Sequence, residues 1–398
     1  MRVAWVVPGF SADEGDWGIP ALLDLARVLA ERVDLHIFAL RYPHRRGAYR
    51  VHRATVTAFG AATGQGGRSA RLWGDALAAI RAEHRRPPFA VVHAFWAGET
   101  GLVAALAAHL IGCPCLVHLA GGELAALPDI GYGGWLTWRE RLKTQLALSL
   151  ATRISAGSEW LLSQARATLP ARYHTRLSLA PLGIDPVRFH LPPTPYPSHF
   201  PSPPPSPLRL LHVASLSPVK DHPTLLRALA LVRAGGVDAR LDLVGGAPHA
   251  AYAAHLQRLA ADLHVGDAVR WRGAVNHATL PAVYRAADLQ VQSSRHEAQG
   301  MAVLEGAAIG LPSVGTRVGV LADLAPDAAR AVPPRDPHAL AEAIAALAAP
   351  VARLALTDVA QRRVLAAYTL EQTLDKSLNF YAGTLLANTS TNNALCHK

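Results

Sequence analysis

Ser293-Ser294-Arg295-His296-Glu297-Ala298-Gln299-Gly300-Met301-Ala302-Val303-Leu304-Glu305-Gly306-Ala307-Ala308-Ile309-Gly310-Leu311-Pro312-Ser313-Val314-Gly315-Thr316 carries the densest local signals in the chain. Leu289 to Gln292, just before it, alternates apolar and polar as a strand does. Ser293 to Gly300 reads as a loop and Met301 to Ile309 as a helix. Gly310-Leu311-Pro312 stops that helix, and the next strand follows. Gly300 has no Cβ, so its backbone can approach a ligand closely. The amides near Gln299, Gly300 and Met301 face outward at a helix N-terminus, where they and the helix dipole favour a phosphate. Two carboxylates bracket the turn: Glu297 in the loop and Glu305 eight residues on, in the helix. Amides for a diphosphate and carboxylates for hydroxyl groups make a site suited to a nucleotide sugar.

Glu297-x7-Glu305, with Gly300, the Gly310-Leu311-Pro312 turn and the preceding Ser293-Ser294, resembles the signature of retaining glycosyltransferases of family 4. A Glu pair at this spacing alone would read as a surface loop and an ordinary helix; the whole stretch makes the match specific. The resemblance implies an α/β protein of GT-B fold, with two Rossmann-like domains whose parallel sheets face an interdomain cleft. It implies that Glu297 lies by the donor sugar and Glu305 binds the ribose hydroxyls. The amides of Gln299, Gly300 and Met301 would hold the diphosphate and sugar.

The rest of the second half fits that expectation. Leu208 to Ala214 reads as a strand, Ser215 to Pro223 as a loop and Thr224 to Arg233 as a helix. In the resembled family this loop carries an Arg and a Lys that neutralise the donor diphosphate. Lys220 matches the Lys, but Ser215 stands in the Arg position. A hydroxyl can bond a phosphate oxygen without offsetting its charge, so donor binding and leaving-group stabilisation fall more heavily on Lys220. Further strands are expected at Leu241–Val244, before Gly245-Gly246, and at Val269–Gly273. Helices are expected at Pro281–Ala287 and Ala339–Ala349. A last helix, Arg362–Leu386, is implied by the resemblance to cross back to the first domain.

In the first half, Val3 to Val7 is an apolar strand, followed by a Gly-containing loop and a helix over Ile19–Ala30, the opening of a Rossmann-like unit. The Gly-x-Gly-x-x-Gly fingerprint is absent, so a nicotinamide site is not expected. The family's Gly-Gly pair is here only Gly15-Asp16-Trp17-Gly18, with Gly18 the candidate donor contact. Trp17 suits either an acceptor pocket or packing of its own loop. Strands are expected at Leu35–Leu40, Val51–Val56, Ala90–Ala94, Cys115–Leu119, Arg153–Ala156 and Leu177–Ala180, with helices at Leu72–Glu83 and Glu99–Leu110 among them. This alternation predicts a parallel sheet covered on both faces. His118 ends one of these strands and precedes Gly121-Gly122-Glu123. The resemblance gives it a place near the sugar's outer hydroxyls. Trp135 to Leu150 is a helix whose tryptophans and cations would suit a membrane interface. Its second half is apolar enough for core, and the reading taken is an amphipathic helix between two strands.

Composition bounds the alternatives. The chain has 398 residues, 51% hydrophobic and 17% charged, enough for about two domains with large cores. Cys113, Cys115 and Cys396 form no metal-binding pattern, which predicts a reducing compartment and neither metal nor other cofactor. Met1–Trp5 enters a strand directly, so no signal peptide and a cytoplasmic location are expected. Net charge is +10, with basic groups around Arg41–Arg53 and Arg81–Arg86. No recognised nucleic-acid-binding motif accompanies them, so nucleic acid is not the expected partner. Peripheral contact with anionic lipid at the inner membrane face stays open.

Pro181-Leu182-Gly183-Ile184-Asp185-Pro186-Val187-Arg188-Phe189 resembles the family segment before the interdomain linker. From Pro192 to Pro207, nine of sixteen residues are proline, which predicts an extended connector. The expected division is an acceptor domain over 1–190, a linker over 191–207, a donor domain over 208–362, a crossing helix over 363–387 and a disordered tail over 388–398. The implied reaction moves a sugar from a UDP- or GDP-linked donor to an acceptor hydroxyl. Glu297 and His118 would orient the sugar. A nucleotide-sugar epimerase and a non-catalytic sugar- or membrane-binding protein are the alternatives.

Overall fold

The computed structural model describes residues 1–60, 69–190 and 207–395, with side chains through Leu385. Two units divide it: Met1–Gly183 with Leu370–Lys398, and Ile184–Thr369.

The first unit runs β1 (Arg2–Gly9), α1 (Pro20–Leu29), β2 (Asp34–Tyr42), β3 (Gly47–Val51), β4 (Ala54–Ala58), α2 (Ser69–His84), β5 (Val91–Phe95), α3 (Glu99–Ile111), β6 (Cys115–Leu119), α4 (Trp138–Leu150), β7 (Arg153–Ala156), α5 (Glu159–Thr168) and β8 (Leu177–Leu179). Among the described residues its sheet has the order β3-β4-β2-β1-β5-β6-β7-β8. Every neighbour pair is parallel except β3 with β4. Central strands buried on both faces require near-continuous apolar runs, and β5 and β6 are buried at every position.

The single strand expected over Val51–Val56 is instead the hairpin β3–β4. His52 adopts a left-handed φ of 50° at its turn, and its amide donates to Glu14 Oε1 at 3.1 Å. The sequence there has no Gly or Asn to signal such a turn. The helix expected over Trp135–Leu150 breaks into a short turn at Gly134–Leu136 and α4, because Thr137 caps α4 by accepting from the Glu140 amide.

The second unit continues with β9 (Leu208–Val213), α6 (His222–Ala234), β10 (Ala239–Val244), α7 (Ala250–Asp262), β11 (Val269–Gly273), α8 (Leu280–Arg285), β12 (Leu289–Gln292), α9 (Met301–Ala308), β13 (Ser313–Thr316), α10 (Gly319–Leu324), β14 (Arg330–Val332), α11 (Pro337–Ala346) and α12 (Pro350–Ala367). Its sheet is parallel throughout, in the order β11-β10-β9-β12-β13-β14. Apolar residues pack on both faces. Leu210, Leu241 and Val291 belong to one cluster with α6 and α11, and Leu211 and Val244 to another with α8, α9 and α12.

The last helix, expected as one piece from Arg362, is two: α12 and α13 (Leu370–Leu395). Between them Thr369 forms a parallel bridge with Ile184, whose amide donates to Tyr368 O at 2.9 Å. That pairing takes the backbone out of the helix, and α13 belongs to the first unit. Ile184 and Phe189 pack with Tyr284 in the second unit, so residues 184–190 leave the first half to which the sequence reading assigned them. The proline-rich segment thus falls within the span of the second unit; its expected extended conformation lies outside the described residues. The helix α13 runs on to Leu395, through polar residues expected to lack structure.

Candidate functional site

In the second unit the strand order reverses between β9 and β12, which are adjacent. Loops leaving the C-terminal ends at such a reversal diverge and open a crevice. The loop after β9 and the loop after β12 are the ones singled out in the sequence.

The two loops are tied by main chain. Arg295 N donates to Val219 O at 2.8 Å, and Ser293 Oγ donates to Lys220 O at 2.8 Å. This fixes Lys220, whose Nζ lies 2.6 Å from Glu297 Oε1. Ser294 Oγ donates to the same oxygen at 2.6 Å. Burial alone would raise the Glu297 carboxyl, but the Lys220 charge and the bonds from Lys220 and Ser294 outweigh it and hold the group below the ordinary carboxylate range. The ammonium and carboxylate therefore form an ion pair at neutral pH. Ser215, in the place of the expected cation, is exposed, with its Oγ 3.3 Å from Ser217 Oγ.

Gly300 caps α9 at φ 103°, a conformation that only glycine adopts without strain. Gln299 is buried, and its carbonyl accepts from Val320 N at 2.6 Å. Gly319, which the sequence reading did not single out, makes that contact possible. At φ 57°, a Cβ there would lie 2.4 Å from Gln299 O and 2.8 Å from Glu297 Cβ. Met301 opens α9 and is half-buried.

Glu305 is 7% exposed, one turn into α9. Tyr284 OH donates to Oε2 at 2.7 Å, and His277 Nε2 lies 3.0 Å from Oε1. Arg188 Nη1 lies 3.3 Å from His277 Nδ1. A guanidinium only donates, so Nδ1 accepts and the imidazole proton sits on Nε2, pointing at Glu305. Burial, then the Glu305 charge and hydrogen bond, push the Tyr284 hydroxyl well above its ordinary pKa, so it remains a donor. Two oxygens with two donors leave acceptor capacity on a carboxylate. His277 and Tyr284 were missed in the sequence because nothing local distinguishes a polar aromatic beside an apolar helix.

Gly18 and His118 lie in the first unit. Gly18 is exposed, and a Cβ there would come within 3.2 Å of Tyr42 Cε1. His118 is 3% exposed, with Nδ1 2.9 Å from Ser155 Oγ. Burial lowers its pKa to about 4, so it is neutral at physiological pH. In the neighbouring loop Glu123 accepts from the amides of Ala97, Ala120 and Gly121 at 3.1, 3.1 and 2.8 Å. The Gly121-Gly122-Glu123 run was legible, but not that its carboxylate holds two strand-end loops. Among the described residues, no group of three or more His, Cys, Asp and Glu side chains is placed to hold a metal ion.

Residues 207–349 match the family model described as Glycosyl transferases group 1. D-inositol 3-phosphate glycosyltransferase 2 of Catenulispora acidiphila is 38% identical over 152 residues, 36% of this chain and 36% of that protein. N-acetyl-alpha-D-glucosaminyl L-malate synthase of Bacillus anthracis is 37% identical over 111 residues, 28% of this chain and 27% of that protein. The matched part thus spans only about a third of these relatives. Over nearly the whole chain the fold is shared with solved structures. Sucrose-phosphate synthase from Thermosynechococcus elongatus superposes with TM-score 0.78 at 18% identity, covering 97% of this chain and all of that one. Anabaena HepE, solved with UDP and glucose, gives 0.74 at 17%, covering 96% and 100%. At these identities the likeness establishes the fold, two Rossmann-like domains of the GT-B class.

Proposed function

We propose that this protein is a retaining glycosyltransferase that moves a hexosyl group from a nucleotide diphosphate sugar to an acceptor hydroxyl. One observation carries the reading: at the strand reversal of the second unit, Lys220 is locked to Glu297 in the loop before α9, and Glu305 is clamped one turn into that helix. Lys220 and the amides at Gly300 and Met301 neutralise the departing diphosphate. Glu305 accepts from the ribose hydroxyls and Glu297 from the sugar. Anabaena HepE's complex with UDP and glucose makes UDP-glucose the first donor to try. The resemblance assigns His118 to the sugar's outer hydroxyls. With Nδ1 engaged by Ser155, the atom that would meet them is the neutral Nε2. The leaving phosphate takes the acceptor's proton on the face it departs from, so the anomeric configuration is retained.

Calorimetric titration with UDP, GDP and their glucose conjugates tests this. One of them binds, and Glu305→Ala weakens it by about 100-fold or more, the scale of losing a buried charged hydrogen-bond partner. Full affinity in that variant, with its fold intact by circular dichroism, refutes the assignment.

A further inference from the structure

The helix α4 buries one side of its second half, as its sequence suggests, but carries a second apolar stripe on the opposite side. Its buried face is Thr144, Ala147 and Leu148. Trp138, Leu142, Leu146 and Leu150, spaced four apart, are 69, 46, 44 and 37% exposed. At 3.6 residues per turn this spacing drifts slowly round the helix, so the four make one slanting apolar stripe. Beside it stand Arg139, with its guanidinium 5.5 Å from the Trp138 ring centroid, and Arg141, 5.6 Å from that of Trp135. Among the described residues neither arginine pairs with a carboxylate. Glu140, the helix's acid, is engaged by Lys143. Arg41 and Arg46, by contrast, are paired: Arg41 bonds Glu99 with both arms, and Arg46 bonds Asp75. The exposed side of α4 thus combines aromatic, aliphatic and cationic groups, and the helix's carboxylate, Glu140, is paired with Lys143.

We propose that this face of α4 is a docking surface for an anionic lipid bilayer. A helix with an apolar face and cations beside it lies in the interface plane, its apolar side chains among the acyl chain ends and its arginines at headgroup phosphates. Charge complementarity selects this occupant over a second copy of the chain, which would set Arg139 and Arg141 against the same cations. Among the described residues no single helix is long and apolar enough to cross a membrane, so attachment through α4 is peripheral. The inference is independent of the catalytic reading, because it concerns binding and not turnover.

Co-sedimentation of the full chain with vesicles tests it, comparing phosphatidylcholine alone with phosphatidylcholine containing about a third phosphatidylglycerol. The protein sediments with the anionic vesicles and is released by about 1 M salt, which screens surface charge. Arg139→Gln with Arg141→Gln weakens binding by about fivefold per arginine. Leu142→Gln with Leu146→Gln weakens it by about tenfold or more, with unchanged melting temperature because both side chains are exposed. Absence of sedimentation, equal binding to both vesicles, or variants that bind like the parent overturns the proposal. So does light scattering that finds a dimer in the parent and a monomer in the leucine variant, which would give the stripe to a second copy.

Discussion

The two units are built on the same layout and differ in what they place at its strand ends. In the second, the strands flanking the reversal of order lead to an ion pair, Lys220 with Glu297. In the first, the reversal lies between β1 and β5; the polar groups buried within these strands are neutral, and Arg41 at the end of β2 is taken up by both oxygens of Glu99. Trp5 Nε1 donates to Tyr381 OH at 3.1 Å, and Tyr381 OH lies 2.9 Å from His93 Nδ1. Burial lowers His93 to about 3. The helix α13, which carries Tyr381, covers this face. A parallel sheet presents strand ends whatever its sequence; the residues there decide whether they hold charge.

The sharpest way to break this contrast is Lys220→Ala. It removes the cation and leaves Glu297 nearly buried without compensation. Turnover of the donor falls by about 10²–10³-fold, the cost of removing a preorganised donor at a departing anion, and the melting temperature drops. A loss below about tenfold would mean that the ion pair is not the electrostatic centre.

Acid titration separates the two kinds of group. His36, His93, His118, His212 and His222 all have folded pKa values pushed down by burial, to between about 2 and about 4. They are neutral when folded and take up protons when unfolded, near pH 6.5. Their burial carries no protonation penalty above that pH. Stability then declines as pH falls from about 6.5 toward 4, by up to about 1.4 kcal/mol per pH unit for each group. Glu297, held low, behaves differently: its contribution is present above the ordinary carboxylate pKa and is lost only as pH falls through its lower folded value. Urea unfolding from pH 7 to 4 shows the early decline. Stability constant down to about pH 4.5 would rule out neutral burial of the histidines.

The smallest effect sharpens the contrast. Ser215→Arg adds a second cation to the loop that holds Lys220, at an exposed position. Donor affinity rises by about tenfold, the scale of one charge-assisted hydrogen bond, with little change in melting temperature. Unchanged affinity in calorimetry would place residue 215 outside reach of the diphosphate.

What was legible followed from local chemistry. Gly300 and the Gly310-Leu311-Pro312 turn punctuate α9 within a residue, because backbone conformation there depends on the residues themselves. Cys115–Leu119 and Leu289–Gln292 were readable because buried parallel strands demand short apolar or alternating runs, and Val269–Gly273, at the sheet edge, because its residues alternate. What was missed depends on partners distant in sequence. The gap between α12 and α13 comes from Ile184, far upstream. The clamp on Glu305 comes from His277 and Tyr284, set by how α8 packs on α9. The amphipathic character of α4 is legible, but hydrophobicity reports apolar content and not that Trp138, Leu142, Leu146 and Leu150 lie on the uncovered side.

The pairing of Ile184 with Thr369 brings the two ends of the second unit together. Topologically that unit is a cassette spliced into the first at one place, between Gly183 and Leu370. Its boundaries favour expression of 184–369 as an autonomous polypeptide, and joining its ends with a short peptide would permit circular permutation. A fragment begun instead at Leu208, after the prolines, would discard Arg188 and with it the guanidinium that orients the His277 proton toward Glu305.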